Sequence, residues 1–182
     1  MNEQNTSLRI LGIDPGLNIT GYGVLECTCA TAGLSSSAGL GGKSSPRICE
    51  AGVVRGKSRR SLTARLVEIH EGVADVIAAL KPGVMAIEEL YSHYNRPRTA
   101  ILMGHARGVI CLAAARAGIP VVHYSATQIK KILTGAGRAS KAQVQRAIQR
   151  ELALTQVPDP PDVADALAVA LCHYYLKDKL RV

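Results

Sequence analysis

The chain has 182 residues, a formal net charge of +8 and a sequence pI near 9.5, so an anionic partner is expected, nucleic acid before an acidic membrane. Hydrophobic residues make up 47% of it with no Phe or Trp, so a core of Leu, Ile, Val and Ala within one domain spanning residues 1–182 is expected. No apolar run reaches the roughly 18 residues of a membrane span, MNEQNTS holds no signal core, and the odd, scattered cysteines read as free thiols, which together point to the cytoplasm.

Residues 1–7 read as a flexible tail. Leu8 to Asp14 is strand-like and stops at the turn Pro15-Gly16-Leu17-Asn18. Ile19 to Cys27 follows as the second arm of a hairpin. Gly21 and Gly23 inside it mark close approach by a neighbour or a ligand. About Thr31 to Ser45 is a Gly/Ser-rich insert that reads as a mobile loop. Its Gly42-Lys43-Ser44 is no phosphate loop, because Ser37 stands where that motif needs glycine. Cys27, Cys29 and Cys49 lack both the spacing and a fourth ligand for zinc. Arg47 to Arg55 completes a three-stranded meander.

Ser61 opens a helix whose apolar face is Leu62, Leu66, Ile69, Val73, Val76, Ile77 and Leu80, and Lys81-Pro82-Gly83 ends it. Val84 to Leu90 is a fourth strand, parallel to the first by the usual right-handed crossover. The polar loop Tyr91 to Arg98 leads to a helix, Thr99 to Ala117, with many small residues suited to close contact with the sheet or across a dimer. A fifth strand, Ile119 to Tyr124, precedes helices at Ser125–Leu133 and Ser140–Leu152. The last helix starts at Asp159-Pro160, read as an N-cap with proline in the first turn, and runs to about Lys177. The order implies an α/β fold, a mixed sheet of about five strands with helices on both faces.

Five acids stand in apolar surroundings. Asp14 ends the first strand. Glu88 and Glu89 lie in VMAIEEL, and alternation sends them to opposite faces, so one of the two can join Asp14. Asp162 and Asp165, three apart, share a face of the last helix. Asp162 also suits the helix dipole, which favours first-turn acids by about 0.3–1 kcal/mol. Asp165 sits in a stretch apolar nearly all round, where a lone carboxylate is costly. A shared metal site competes here with scattered capping and surface acids, and an oxygen-only donor set suits Mg²⁺ or Mn²⁺.

Taken together, Leu11-Gly-Ile-Asp-Pro-Gly16, Thr20-Gly-Tyr-Gly-Val24, Ala86-Ile-Glu88, His105-Ala-Arg-Gly108, Gln128-Ile-Lys130, Ser140-Lys-Ala-Gln-Val144 and Asp162-Val-Ala-Asp-Ala-Leu167 resemble the RuvC-type Holliday-junction resolvases, from Leu8 to about His173. The resemblance implies a ribonuclease-H-like fold and a homodimer that binds four-way junction DNA. It implies symmetric nicking of two opposing strands, leaving 5′-phosphate and 3′-hydroxyl ends, in recombination and repair alongside RuvA and RuvB. It assigns the catalytic acids to Asp14, Glu88, Asp162 and Asp165, so Glu88 rather than Glu89. The active-site lysines fall on Lys130 and Lys141, and the junction-probing aromatic on Tyr91, a tyrosine where many members carry phenylalanine.

Two Mg²⁺ or Mn²⁺ ions per site are expected, with Asp14 bridging them, Glu88 on one, and Asp162 with Asp165 on the other. Tyr94, Arg96, Arg98, Lys131, Arg138, Arg55, Lys57, Arg59 and Arg60 are the expected DNA contacts. Three other readings remain open: a ribonuclease-H-like nuclease for RNA or hybrids, a non-catalytic junction-binding protein, and a phosphate-binding domain of the actin and sugar-kinase kind. The last needs two such domains, and 182 residues hold one.

Overall fold

Alternation along the first strand decides how the molecule is layered. In the computed structural model, which describes residues 7–28, 45–57, 59–90 and 97–177, β1 (Ser7–Asp14) is central in a five-stranded sheet. The order is β3-β2-β1-β4-β5, with β2 at Ile19–Thr28, β3 at Arg47–Arg55, β4 at Val84–Glu88 and β5 at Val121–Tyr124. β1 pairs antiparallel with β2 and parallel with β4, and β5 is parallel to β4, so the meander and the crossovers form as expected.

Ile10 faces one core and Leu11 and Ile13 the other. One layer holds α1 (Leu62–Leu80) and α2 (Pro97–Arg116), whose Ile69, Val73 and Ile110 close over Leu11, Ile13, Met85 and Ile87. The other holds α3 (Ala126–Thr134), α4 (Lys141–Glu151) and α5 (Pro161–Leu176), closed over Ile10, Leu25 and Ala86.

From Val163 to Tyr174 every residue of α5 except Asp165 is buried. It is the central helix of its layer because β1 and β2 present glycine to it. A Cβ on Gly12 would lie 2.2 Å from the Ala166 carbonyl oxygen, and one on Gly21 2.0 Å from that of Asp162. The neighbour expected at Gly21 and Gly23 is therefore this helix, with Leu167 Cδ2 against Gly23.

Beyond one-residue differences at element ends, the structure departs from expectation at four places. β4 ends at Glu88 rather than Leu90, although the Glu89 amide still donates to the Tyr124 carbonyl at 2.8 Å. α2 begins at Pro97, two residues before Thr99, because proline suits a first helical turn. β5 begins at Val121 rather than Ile119. The cap of α5 is Pro160 with no side-chain hydrogen bond, so Asp159 is no N-cap. Ser61, Ser125 and Ser140 do cap α1, α3 and α4. Most of the tail and of the Gly/Ser insert, together with Tyr91, Tyr94 and Arg96, lie outside the described residues.

Candidate active site

The parallel register of β1 and β4 aligns Ile13 with Ile87, so Asp14 and Glu88 leave the sheet side by side at the C-terminal ends of their strands. Both follow the Ile10 and Ala86 face, toward α5, and Glu89 is exposed. The glycine seat under α5 brings Asp162 and Asp165 to the same end of the sheet. Asp14 is thus within electrostatic reach of the three other acids. Burial first, then Asp165, Glu88 and Asp162 in turn, push its carboxyl up to about 7, while Lys141 opposes them. Glu88 is likewise raised, by burial and then by Asp165, with Lys130 working against both.

Lys141 is the first residue of α4. Ser140 and Gln143 form a reciprocal capping box there, which fixes the start of the helix and the lysine with it. Its Nζ donates to an Asp165 carboxylate oxygen at 2.9 Å. The hydrogen bond to Asp165, and the charges of Asp165, Asp14 and Asp162, outweigh burial and hold its ammonium above the ordinary lysine range. The lysine side chain is 55% exposed, so the pair contributes no more than about 1 kcal/mol to stability. Lys130, on α3, faces Glu88 across a cleft of about 230 Å³ that Asp165 and Lys141 also line.

The two helix acids open onto different hollows. Asp165 lines the lysine cleft, whereas Asp162, in the first turn of α5, lines a groove of about 650 Å³ on the other side with Gly16, Asn18 and Arg65. As the side chains lie, no three His, Cys, Asp or Glu groups among the described residues are gathered closely enough to hold a metal ion. Asp14 and the three acids whose charges weigh on it, with a lysine already drawn onto one of them, nonetheless form a donor set whose chemistry fits a divalent cation.

Of the expected DNA contacts, Arg55, Lys57, Arg59 and Arg60 stand exposed at one end of β3 and the turn into α1. Glu68 accepts from the Lys57 amide at 2.8 Å and pairs with Arg60 at 3.3 Å. Arg98 is exposed at the start of α2, and Lys131 and Arg138 are exposed outside the lining of the lysine cleft.

Sequence reasoning missed Arg107. From α2, its Nε donates to the Glu88 backbone carbonyl at 3.3 Å and its guanidinium meets His123 on β5, so it ties down the strand end that carries Glu88. Its one sequence signal was its place in His105-Ala-Arg-Gly108.

The family described as crossover junction endodeoxyribonuclease RuvC matches residues 10–173. The crossover junction endodeoxyribonuclease RuvC of Rhodopirellula baltica is 53% identical over 169 residues, 92% of this chain and 86% of that protein. Its counterpart from Desulforamulus reducens is 42% identical over 164 residues, 90% of this chain and 91% of that one. The solved structure of Thermus thermophilus RuvC superposes with a TM-score of 0.80 at 31% identity, covering 94% of this chain and 96% of that one. The same protein in complex with Holliday junction substrate gives the same figures. The yeast mitochondrial Holliday junction resolvase Ydc2, with a TM-score of 0.61 at 15% identity over 96% of this chain and 80% of that one, shares the fold.

Proposed function

Because the chain belongs to the RuvC family of crossover junction endodeoxyribonucleases, with the family's ribonuclease-H-like fold, we propose that it resolves four-way Holliday junctions by metal-dependent nicking of two opposing strands. The products carry 5′-phosphate and 3′-hydroxyl ends, and the work belongs to recombination and repair with RuvA and RuvB as partners. One domain spanning the chain does this, in the cytoplasm. No helix among the described residues is long and apolar enough to cross a membrane.

The observation that carries the reading is the meeting of Asp14, Glu88, Asp162 and Asp165 with Lys130 and Lys141 at one end of the sheet, in a chain with an excess of eight positive charges. Four carboxylates without cations would repel DNA. Asp14, Glu88, Asp162 and Asp165 would hold two Mg²⁺ or Mn²⁺ ions, which supply an activated water and charge neutralisation at the scissile phosphate. The rest is done by the chain itself. Lys141, bonded to Asp165 through a half-exposed side chain, can turn its ammonium to a phosphate oxygen. Lys130 offsets charge on the Glu88 side. The glycine seat fixes the backbone of α5, so the acids approach a bound ion by side-chain rotation alone.

Two nicks related by the junction's two-fold axis call for two sites related in the same way, hence a homodimer. The face of α2 turned from the core supports this. Ile101, Gly104, Gly108 and Leu112 form one exposed stripe, and nothing lies within 4 Å of a Cβ built on either glycine.

The test is cleavage of a synthetic four-way junction against linear duplex, RNA and hybrid, with each metal. Symmetric nicks in the junction alone are expected, and Asp14→Asn is expected to bind the junction without nicking it. Preference for linear RNA, or junction binding that never leads to a nick, overturns the reading.

A further inference from the structure

We propose that the groove beside Asp162 is a second seat for the cut DNA strand, in which Arg65 holds a backbone phosphate on the side of the carboxylates opposite Lys130 and Lys141. The inference rests on the junction-nuclease reading and extends its site by one residue and one hollow.

Three hollows at the end of the sheet follow one another through shared lining residues. The groove lined by Arg65, Asn18 and Asp162 shares Met103 with a cleft lined by Asp14 and Glu88, and that cleft shares Glu88 with the lysine cleft. The trough therefore has Arg65 at one end, the acids in the middle and the two lysines at the other. A strand cut at the acids needs phosphate contacts on both sides to hold the scissile bond in register, and the lysines supply one side only.

Arg65 is built as such a contact. It projects from α1, is half-buried, and makes no ion pair among the described residues. One Nη donates to the Asn18 side-chain oxygen, while Nε is buried with no hydrogen-bond partner among the described residues. A guanidinium taken partly out of water without an acid partner is costly, and a phosphate oxygen is the complement it lacks. Asn18 is itself held, because its carbonyl accepts from the Gly56 amide at 3.0 Å. That bond joins the groove to the turn carrying Arg55, Lys57, Arg59 and Arg60. Exposed cations thus stand on the turn that Asn18 holds, beside the groove of Arg65.

The competing role is structural, a tie from α1 to the β1–β2 turn through Asn18. Arg65→Gln, Arg65→Lys and Asn18→Ala separate the two. Junction binding is measured against salt in the Asp14→Asn background, so that no strand is cut. Arg65→Gln is expected to weaken binding about tenfold and lower the salt slope by about one, with Arg65→Lys recovering most of both and Asn18→Ala leaving the slope unchanged. In nicking reactions with Mg²⁺, neutral methylphosphonate linkages placed singly around the cut are expected to slow Asp14-containing protein at one flanking position. At that position Arg65→Gln shows no further loss.

If Arg65→Gln keeps the full salt slope and interference pattern, or if Asn18→Ala reproduces its defect, the groove is not a phosphate seat. Should Arg65→Gln fail to fold, the Arg65→Lys and Asn18→Ala comparison decides alone. A lysine variant that loses the slope, or an alanine variant that matches it, overturns the proposal. The binding arm needs no cleavage, so failure of the wild-type protein to nick any junction sinks the nuclease reading without deciding the groove.

Discussion

The two walls of the site are made by different physics. The acid wall is α5 pressed backbone to backbone onto β1 and β2, with Gly12 and Gly21 leaving no room for a single methyl group. The lysine wall is the start of α4, held by a capping box and one half-exposed ion pair. The backbone that carries Asp162 and Asp165 is fixed by close packing, which is rigid and independent of salt. Lys141, which the proposed function turns from a carboxylate to a phosphate, is fixed by contacts worth about 1 kcal/mol each, which an arriving strand can replace.

The sharpest test of this division is Asp14→Asn. Nicking should fall by at least about a thousandfold, the scale on which electrostatic groups at a reacting centre act. Stability should move the other way. The carboxyl ionises near 3.8 in the unfolded chain and near 7 in the folded one, so the folded state holds the extra proton between those values. Stability of the wild-type protein therefore falls as pH rises through that window and is flat above it. Removing the charge should raise stability at pH 8 without divalent ions by up to about 4 kcal/mol, and the gain should vanish by about pH 4. Thermal melts at both pH values check this. Adding Mg²⁺ should raise the wild-type melting temperature more than that of the variant.

Gly21→Ala attacks the same wall through packing. The new methyl would strike the Asp162 backbone, so the first turn of α5 must lift from β2. A loss of roughly 3 kcal/mol is expected, at the upper end of overpacking costs, with junction nicking falling alongside it. Denaturant melts and cleavage rates measured together would show whether stability and activity fail as one. A variant of near wild-type stability would break the claim that this contact sets the position of the acids.

Much of this wall was legible in the sequence. The glycines in β2 announced a close neighbour and the apolar ring around Asp165 a buried helix, so Asp14 and Asp165 stood out from the pattern, whereas the choice of Glu88 over Glu89 and the role of Asp162 came from the family resemblance. Asp165 nevertheless keeps a third of its side chain exposed. It escapes the expected burial because it lies where the helix faces the cleft. The divided outlook of Asp162 and Asp165 could not be read from their spacing, since three residues along a helix fixes a shared face and not which hollow each side chain enters. Arg107 and Arg65 were hidden for another reason. Each sits in an ordinary helix pattern where a lone cation most simply faces water, and its role depends on a contact with a strand end or turn far away in the chain, Glu88 in one case and Asn18 in the other.

On the lysine wall the expected pattern reverses. Lys141→Ala should slow nicking by about ten- to a hundredfold while changing stability by less than about 1 kcal/mol, because the pair it breaks is exposed and the group it removes is the one proposed to meet the phosphate. Lys131→Ala, one residue from Lys130 but exposed and outside the cleft lining, should leave the cleavage rate of bound junction near wild type. Single-turnover cleavage under saturating protein separates the chemical step from binding in both variants.

The smallest effect belongs to Ser140→Ala, and it tests whether the lysine wall is positioned at all. Ser140 accepts from the Gln143 amide, and the Gln143 side chain accepts from the Ser140 amide at 2.7 Å, so losing the hydroxyl frees one end of the box and leaves the other. The expected cost is about 1 kcal/mol of stability, the usual cost of a lost N-cap. If the cap also aims Lys141, cleavage of bound junction should slow by a few-fold at a temperature where the variant is fully folded, and Ser140→Asp, which restores an acceptor, should recover both losses. Recovery of stability without recovery of rate would mean that Lys141 is placed by Asp165 alone. The exposed ion pair, rather than the helix start, would then define that side of the site.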